Sequence, residues 1–314
     1  MNITKIKTPD QDLTVDPIPR HGAHGAPKIY PEGTDPEPLK KWIASGGKST
    51  PPKGGAFYTR TTTFIDALDD KSAIGDWKVR KVLEGLALDS RLYDSLNGID
   101  DWESVESKKS LKAVADQAHK VAGGNNRAEL GDVIHQLTED YDNGKDMGIL
   151  PPDVQGDLDA WISATEGMEP VGVELFLVND GMKYAGTADR FMRITSERWA
   201  EALGLQVGDV VVADLKTGKS VDFARGKYGL QLAAYANAKI YDPMTFKRSE
   251  IEFDGQSVNL QWGVIFHLPV GSGACYAYSV DLVEGYAALQ LVRKVREYRK
   301  LWAKKDGPMQ KIEL

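Results

Sequence analysis

The 314-residue sequence has a single cysteine, Cys275. One cysteine excludes a disulfide framework within the chain, a zinc site built from several thiolates and an iron–sulfur cluster held by four cysteines. The fold must therefore be stabilised by its apolar core. This cysteine usage also favours a reducing compartment, so we expect a cytoplasmic protein.

Long apolar runs are also missing. No run approaches the roughly 20 apolar residues that a membrane-spanning helix needs. Residues 1–19 lack the apolar centre of a signal peptide. We therefore expect no membrane partner.

An excess of positive charge is absent, since the formal net charge is −7. That balance argues against a protein that binds nucleic acid over its whole surface. It leaves room for a local basic cleft, because the field at a site depends on where charges lie rather than on their sum.

A complete phosphate-binding loop is absent as well. Lys48 and Lys219 each follow a glycine and precede a serine. The loop needs a further glycine five positions before that glycine, and Trp42 and Ala213 occupy those positions. The sequence therefore predicts neither a nucleotide-binding loop nor a helicase.

Composition divides the chain in two. Residues 8–55 are rich in proline, glycine and small polar residues, which predicts a flexible or extended N-terminal arm over residues 1–55 that buries little surface. Residues 56–314 are predicted to form one domain with a helical N-terminal portion and a C-terminal helix.

Apolar periodicity within this domain predicts an α/β fold, with a central mixed β-sheet flanked by helices. Helices are expected around 64–68, 77–86, 100–120 and 126–141, and from 151 to beyond 162. Strands are expected at 171–178, 183–194 and 209–216, followed by a helix at 228–240, strands at 259–270 and 274–282, and a helix at 282–305.

The acid Asp214 and the lysine Lys216 end the most informative strand. Side chains alternate along a strand, so both point to one face, and the four residues before Asp214 are apolar. Burying a carboxylate and an ammonium is costly unless each has a partner. A metal ion for the acid and a phosphate for the lysine would satisfy both, which indicates metal-dependent cleavage of a phosphodiester.

Three further polar groups lie at the edges of apolar elements: His135, Glu174 and Asp189. Singly, each is explained by a core histidine, a surface glutamate or half of a salt bridge. Together with Asp214 they suit Mg²⁺, which needs only one or two protein carboxylates, and the imidazole also suits Mn²⁺. Lys216 would balance charge on the reacting phosphate, and Glu174 would be a further ligand or orient the nucleophile.

Four segments match a known pattern in their order along the chain. They are GDVIH at 131–135, GTADR at 186–190, DLKTGK at 214–219 and QLAAY at 231–235. In this order they resemble the PD-(D/E)XK nuclease superfamily, more narrowly its RecB-type exonuclease branch. Thr61–Ile65, with Trp77 downstream, is similar to the N-terminal helical part of small phage-borne members.

This resemblance implies a restriction-endonuclease-like core and a set of roles. Lys216 would be the catalytic lysine, and Glu174 matches a glutamate that many members carry on the preceding strand. The implied metal ligands are His135, Asp189, Asp214 and the backbone carbonyl of Leu215. The implied cofactor is Mg²⁺ or Mn²⁺, with no iron–sulfur cluster because the cysteines for one are missing.

DNA contacts are expected around the same centre. Gln231 and Tyr235 lie one helical turn apart and would contact the phosphate backbone or brace the site; otherwise they are an ordinary polar residue and a core tyrosine. Arg127, Arg190 and Lys219 are predicted to contact DNA. The basic residues expected near the site are Lys183, Arg190, Arg193, Lys216, Lys219, Arg225 and Lys227.

The function that this resemblance implies is a metal-dependent DNA exonuclease acting on ends or single strands in phage recombination or replication, in the host cytoplasm if the chain is viral. Alternatives are a structure-selective endonuclease with the same centre, and an inactive nuclease fold that serves as a DNA-binding subunit. A recombination or single-strand-binding protein is a further expected partner. Some relatives form rings, but no pattern in this sequence specifies an oligomer.

Overall fold

The computed structural model describes residues 16–21, 25–99, 101–124, 126–304, 307–310 and 312. The side chain of Arg127, a predicted DNA contact, lies outside the described part. No described helix combines the length and hydropathy needed to cross a membrane.

The described chain contains ten α-helices and thirteen strands. The helices are α1 Glu37–Ala44, α2 Thr61–Ile65, α3 Ser72–Leu88, α4 Ser90–Asp94, α5 Val105–Val121, α6 Asn126–Asp142, α7 Pro152–Thr165, α8 Glu197–Leu203, α9 Arg225–Ala236 and α10 Leu282–Trp302. The strands are β1 Arg20–His21, β2 Ala26–Ile29, β3 Ala56–Phe57, β4 Thr59–Arg60, β5 Met168–Asn179, β6 Tyr184–Ile194, β7 Val210–Lys216, β8 Lys239–Tyr241, β9 Arg248–Ser249, β10 Glu252–Phe253, β11 Gln256–Ser257, β12 Trp262–His267 and β13 Tyr276–Asp281.

A mixed sheet organises the protein. Within the described residues it has eight strands in the order β13-β12-β7-β6-β5-β8-β9, with β4 paired to β6. The β7–β12 and β4–β6 pairs are parallel, and the other pairs are antiparallel. The prediction of an α/β protein with a large mixed sheet is confirmed.

Strand β7 is buried on both faces, which explains its unbroken apolar run. Val210 and Val212 belong to a core that includes residues of α9 and α10, whereas Val211 and Ala213 belong to a core with residues of α6, α7 and α8. Asp214 and Lys216 continue the Val210–Val212 alternation, so they point towards α9.

The N-terminal segment differs from the predicted extended arm. Its described part forms a three-stranded sheet, β1-β2-β3, and helix α1. Ile29, Tyr30 and Leu39 each keep only 2% of their surface exposed and share a core with Phe246. Scattered apolar residues among the prolines and glycines thus find partners on the main sheet, so the expectation that this segment buries little surface is wrong.

Helices α3, α4 and α5 form a hairpin that makes its main contacts within itself. Gly85 of α3 meets α5 so closely that an added Cβ would lie 1.8 Å from the carbonyl oxygen of Ala118. Val79 and Leu83 on α3 remain more than half exposed. This hairpin lies apart from the sheet that carries the candidate site.

Candidate active site

Strands β6 and β7 separate at Asp189 and Asp214, two of the predicted site residues. Their ladder ends at the pair Arg190–Ala213, and the next residue along each strand is Asp189 or Asp214. On the same edge β4 pairs with Tyr184 and Ala185 of β6. Residues 186–189 therefore have no strand partner on this edge among the described residues, and the two carboxylates lie in the gap.

Glu174 extends this pair into a row across three strands. It lies between the ladder pairs Val173–Arg190 and Leu175–Ala188, which places it opposite Asp189. Its φ of 53° is in the left-handed region, which a non-glycine residue adopts at a cost. Strained backbone of this kind is concentrated at functional sites, so this residue is a site candidate on two grounds.

Asp214, Lys216 and Gln231 form a closed triangle between β7 and α9. The Lys216 Nζ ion-pairs with Asp214 Oδ2 and donates to Gln231 Oε1 at 3.3 Å. Gln231 Nε2 donates to Asp214 Oδ1 at 3.0 Å. The Asp214 Oδ2 atom is fully buried and accepts no hydrogen bond of ordinary geometry from the described residues, so the ammonium charge of Lys216 is its main compensation.

Burial and neighbouring charges act on both members of this ion pair. Desolvation, reinforced by the negative Asp189, raises the pKa of Asp214, and Lys216 only partly offsets it. Desolvation alone would lower the pKa of Lys216, but Asp214 and Asp189 outweigh it and raise that pKa. Lys216 is therefore held as a cation beside a buried carboxyl group.

His135 faces the second acid from helix α6. Its Nδ1 lies 3.5 Å from Asp189 Oδ2, and the backbone N–H of Leu215 lies 3.4 Å from the same oxygen. Burial lowers the pKa of His135, which favours the neutral imidazole that a metal ion requires.

The carboxyl of Glu174 is perturbed more strongly. More than a third of the residue is exposed, yet its carboxyl group is desolvated by burial. Together with the negative charge of Asp189, this raises the pKa of Glu174 to about 8. Carboxyl groups that lie close together disfavour each other's ionisation. Such crowding is frequent at metal and catalytic centres.

The donor set fits a hard divalent cation. No group of three or more His, Cys, Asp or Glu side chains in the described chain is arranged to hold a metal ion as it stands. Mg²⁺ keeps several waters and needs only one or two carboxylates, so a complete protein cage is not required. Asp214 Oδ2 accepts no hydrogen bond from the described residues, and together with Asp189 and His135 it supplies the oxygen and imidazole donors that Mg²⁺ and Mn²⁺ accept.

Arg190 differs from its predicted role. Only 2% of it is exposed, and its Nε donates to Asp142 Oδ2 at 2.6 Å. Its second nitrogen donates to Thr138 Oγ1 at 2.8 Å, and the guanidinium lies 4.5 Å from the ring centroid of Trp161. A side chain so enclosed is not accessible to DNA, so its burial corrects the prediction of a DNA contact.

Of the other predicted contacts, Gln231 and Tyr235 are buried, with 8% and 3% of their surface exposed. Gln231 points at the acid and the lysine, and Tyr235 lies in the core beneath them. These positions favour bracing of the site over contact with a phosphate. Lys219 is exposed in the loop after β7.

The expected positive charge near the site is largely paired with acids. Arg193 bridges to Asp254, Arg225 to Asp222, and Lys227 to Asp66 and Asp69. The cleft is thus less positive than the sequence indicated.

Two residues of this region were not predicted from the sequence. Tyr228 places its ring 5.0 Å from Lys216 Nζ, and Asp142 holds Arg190. Tyr228 precedes Gln231 by three residues on α9, so helical spacing was a usable signal for it. Nothing in the sequence indicated Asp142, whose partner lies 48 positions away.

Comparison with known proteins adds no family name. A scan against protein-family models gives no match, and a search of curated proteins gives none either.

Proposed function

We propose that this chain is a metal-dependent deoxyribonuclease with the restriction-endonuclease-like core of the PD-(D/E)XK superfamily, on the RecB-type exonuclease branch. The observation that supports it best is the row of Glu174, Asp189 and Asp214 across three strands, with Lys216 bonded to the last of them. Such a row, open at the gap between β6 and β7, suits a phosphodiester backbone approaching through that gap.

The groups that would hold the metal ion are His135, Asp189, Asp214 and the carbonyl of Leu215. A divalent cation bound there would act as a Lewis acid towards the phosphate and acidify a water. Lys216 carries a fixed positive charge next to Asp214 and would stabilise negative charge that develops on the phosphate during attack.

Gln231 holds this geometry from α9, because it contacts the acid with its amide nitrogen and the lysine with its amide oxygen. The Lys216 ammonium and the Asp214 carboxylate are therefore held in place before a substrate binds. This is the preorganisation that electrostatic catalysis needs. Glu174, the exposed end of the row on β5, would orient the attacking water.

The test compares linear with covalently closed DNA in the presence of Mg²⁺ or Mn²⁺. Digestion only from ends supports an exonuclease, whereas nicking of circles identifies the structure-selective endonuclease. Failure to cleave either substrate with either metal identifies a DNA-binding subunit and overturns the proposal. Excess chelator should abolish cleavage, and added Mg²⁺ or Mn²⁺ should restore it.

Lys216→Ala tests the proposed site directly. We expect cleavage of end-labelled DNA to fall by roughly 10²- to 10³-fold, as for loss of one group that stabilises transition-state charge, while DNA and metal still bind. Lys300→Ala, on the exposed face of α10, is the matched control and should cut as the wild type does. Cleavage by Lys216→Ala at the wild-type rate would show that the lysine is misassigned.

A further inference from the structure

A cavity adjoins the candidate site on the far side of Tyr228. It lies between α9, α10 and strands β12 and β13 and has a volume of about 360 Å³. Its lining is mainly apolar and includes Tyr228, Ile265, Tyr278 and Val280. The space is large enough for a planar ring of heterocyclic size.

A single side chain, Tyr228, borders both the cavity and the candidate site. Tyr228 lines the cavity, and its ring also lies 5.0 Å from Lys216 Nζ. A group bound in the cavity is therefore separated from the lysine by about one aromatic ring. In a nucleotide chain the base is similarly close to its own phosphate, separated from it by one sugar.

Exposed aromatic side chains lie on the same chain segments as the lining residues. Phe223, between the lining residues Val221 and Arg225, keeps 89% of its surface exposed. On the edge strand β13, Tyr276 and Tyr278 are 55% and 38% exposed. Exposed rings beside an apolar cavity are typical of surfaces on which bases stack.

Charge at the cavity disfavours a phosphate inside it. Asp281 and Glu284 lie in the lining, and the single basic residue of the lining, Arg225, is ion-paired with Asp222. A phosphate would meet two acids and a neutralised arginine there. An uncharged aromatic ring would meet apolar walls and hydrogen-bond acceptors suited to the N–H groups of a base.

We propose that this cavity, with Phe223 at its rim, binds bases of single-stranded DNA next to the phosphate that is cleaved; the substrate assignment rests on the proposed nuclease function. Bases of an intact duplex are stacked and paired, so they cannot enter without opening the helix. The site therefore selects single strands or frayed ends over continuous duplex.

The experiment measures binding of three labelled probes to the full chain in chelator, which prevents cleavage. The probes are a short oligothymidylate, the same backbone with abasic sites in place of thymidine, and a blunt duplex. The variants are Phe223→Ser and Tyr278→Ser. The control is Tyr93→Ser on α4, a helix whose main contacts are with α3 and α5 and whose tyrosine is 60% exposed.

The wild type should bind oligothymidylate more tightly than the abasic strand and the duplex by roughly five- to hundredfold, the range for one stacked base. Phe223→Ser and Tyr278→Ser should lose most of that difference, and Tyr93→Ser should keep it. Equal affinity for the thymidine and abasic strands, or wild-type discrimination in both rim variants, would overturn the inference.

Cleavage assays with Mg²⁺ or Mn²⁺ separate this inference from the proposed function. Base-dependent binding without cleavage would support the base site and overturn the nuclease. Cleavage together with base-independent binding would overturn the base site alone.

Discussion

Gln231 is the residue on which the acid and the lysine of β7 converge. Replacing it by leucine keeps a similar volume but leaves Asp214 Oδ1 without its amide donor at 3.0 Å. An unsatisfied buried acceptor costs about 1–3 kcal/mol, so Gln231→Leu should lower the free energy of unfolding by that amount and slow DNA cleavage. Urea denaturation and an end-labelled digestion assay measure the two effects.

Gln261→Leu is the control, because Gln261 is exposed and its change should leave both measurements as in the wild type. A Gln231→Leu protein with wild-type stability and cleavage would contradict the bracing role.

At the residue scale the sequence predicted which side chains lie together better than it predicted which side chains are exposed. Period-2 alternation correctly put Asp214 and Lys216 on one face, and the structure brings Gln231 to both. The prediction that Arg190 contacts DNA was wrong. Its position next to Asp189 in the sequence does not reveal that a distant acid, Asp142, binds the guanidinium in the core.

At the scale of elements, the buried pair of Arg190 and Asp142 ties β6 to α6. Asp142 is held further by the indole nitrogen of Trp161, which donates to its Oδ1 at 3.1 Å. Removing one partner of a buried pair leaves an uncompensated charge and costs about 3–5 kcal/mol. We expect Asp142→Asn to lose stability of that order and also to weaken cleavage, since α6 carries His135.

A double-mutant cycle gives the check. Combining Asp142→Asn with Arg190→Met removes the stranded cation, so the double variant should be more stable than the sum of the single changes predicts. The exposed pair Lys112–Asp116 is the comparison, and Asp116→Asn should cost less than about 1 kcal/mol. Additive single changes would show that the buried pair is not coupled.

Asp66 links α2 to α9 and makes this contact sensitive to acid. Burial alone would raise its pKa, but hydrogen bonds from Lys227 and Lys71 outweigh burial and bring the pKa below the ordinary 3.8. The stabilisation is therefore complete above about pH 5 and is lost as the pH falls through the lower folded-state pKa. Asp66→Asn should lose less stability than the wild type between about pH 5 and pH 2.

Unfolding by urea at a series of pH values measures this difference. Asp94→Asn, an exposed change on α4, should follow the wild-type curve. If the free energy of unfolding of Asp66→Asn falls with pH as steeply as that of the wild type, Asp66 is not the source of the acid sensitivity.

Most long elements were predictable from apolar periodicity, and short ones were not. Strands β5, β6 and β7 and helices α6, α7 and α10 lie within a few residues of their predicted bounds. Helices α1 and α8, with 8 and 7 residues, were missed because so short a segment shows little periodicity. The two-residue β4 is defined only by its pairing with β6.

At the scale of the whole molecule, the N-terminal segment is part of the folded body. Leu39, with 2% exposed, packs in the core that also holds Phe176 and Phe246. Leu39→Ala should lower the free energy of unfolding by about 2–5 kcal/mol, the usual cost of such a cavity. Differential scanning calorimetry or urea denaturation measures it.

Ile149→Ala is the matched control, since Ile149 is fully solvent-exposed and should change stability little. Equal stability of Leu39→Ala and the wild type would mean that the segment docks too weakly to matter, as the sequence first indicated. Composition failed here because it counts apolar residues without showing which distant surface they cover.

The pairing of β4 with β6 has a consequence for how the protein is made. Thr59 pairs with Tyr184, so an early strand waits for a partner more than a hundred residues downstream. Contacts so distant in sequence close slowly, and a chain emerging from the ribosome exposes its N-terminal part first. Ile29, Tyr30 and Leu39 therefore stay exposed during much of translation, and that interval is when a nascent chain of this protein is most open to chaperones and proteases.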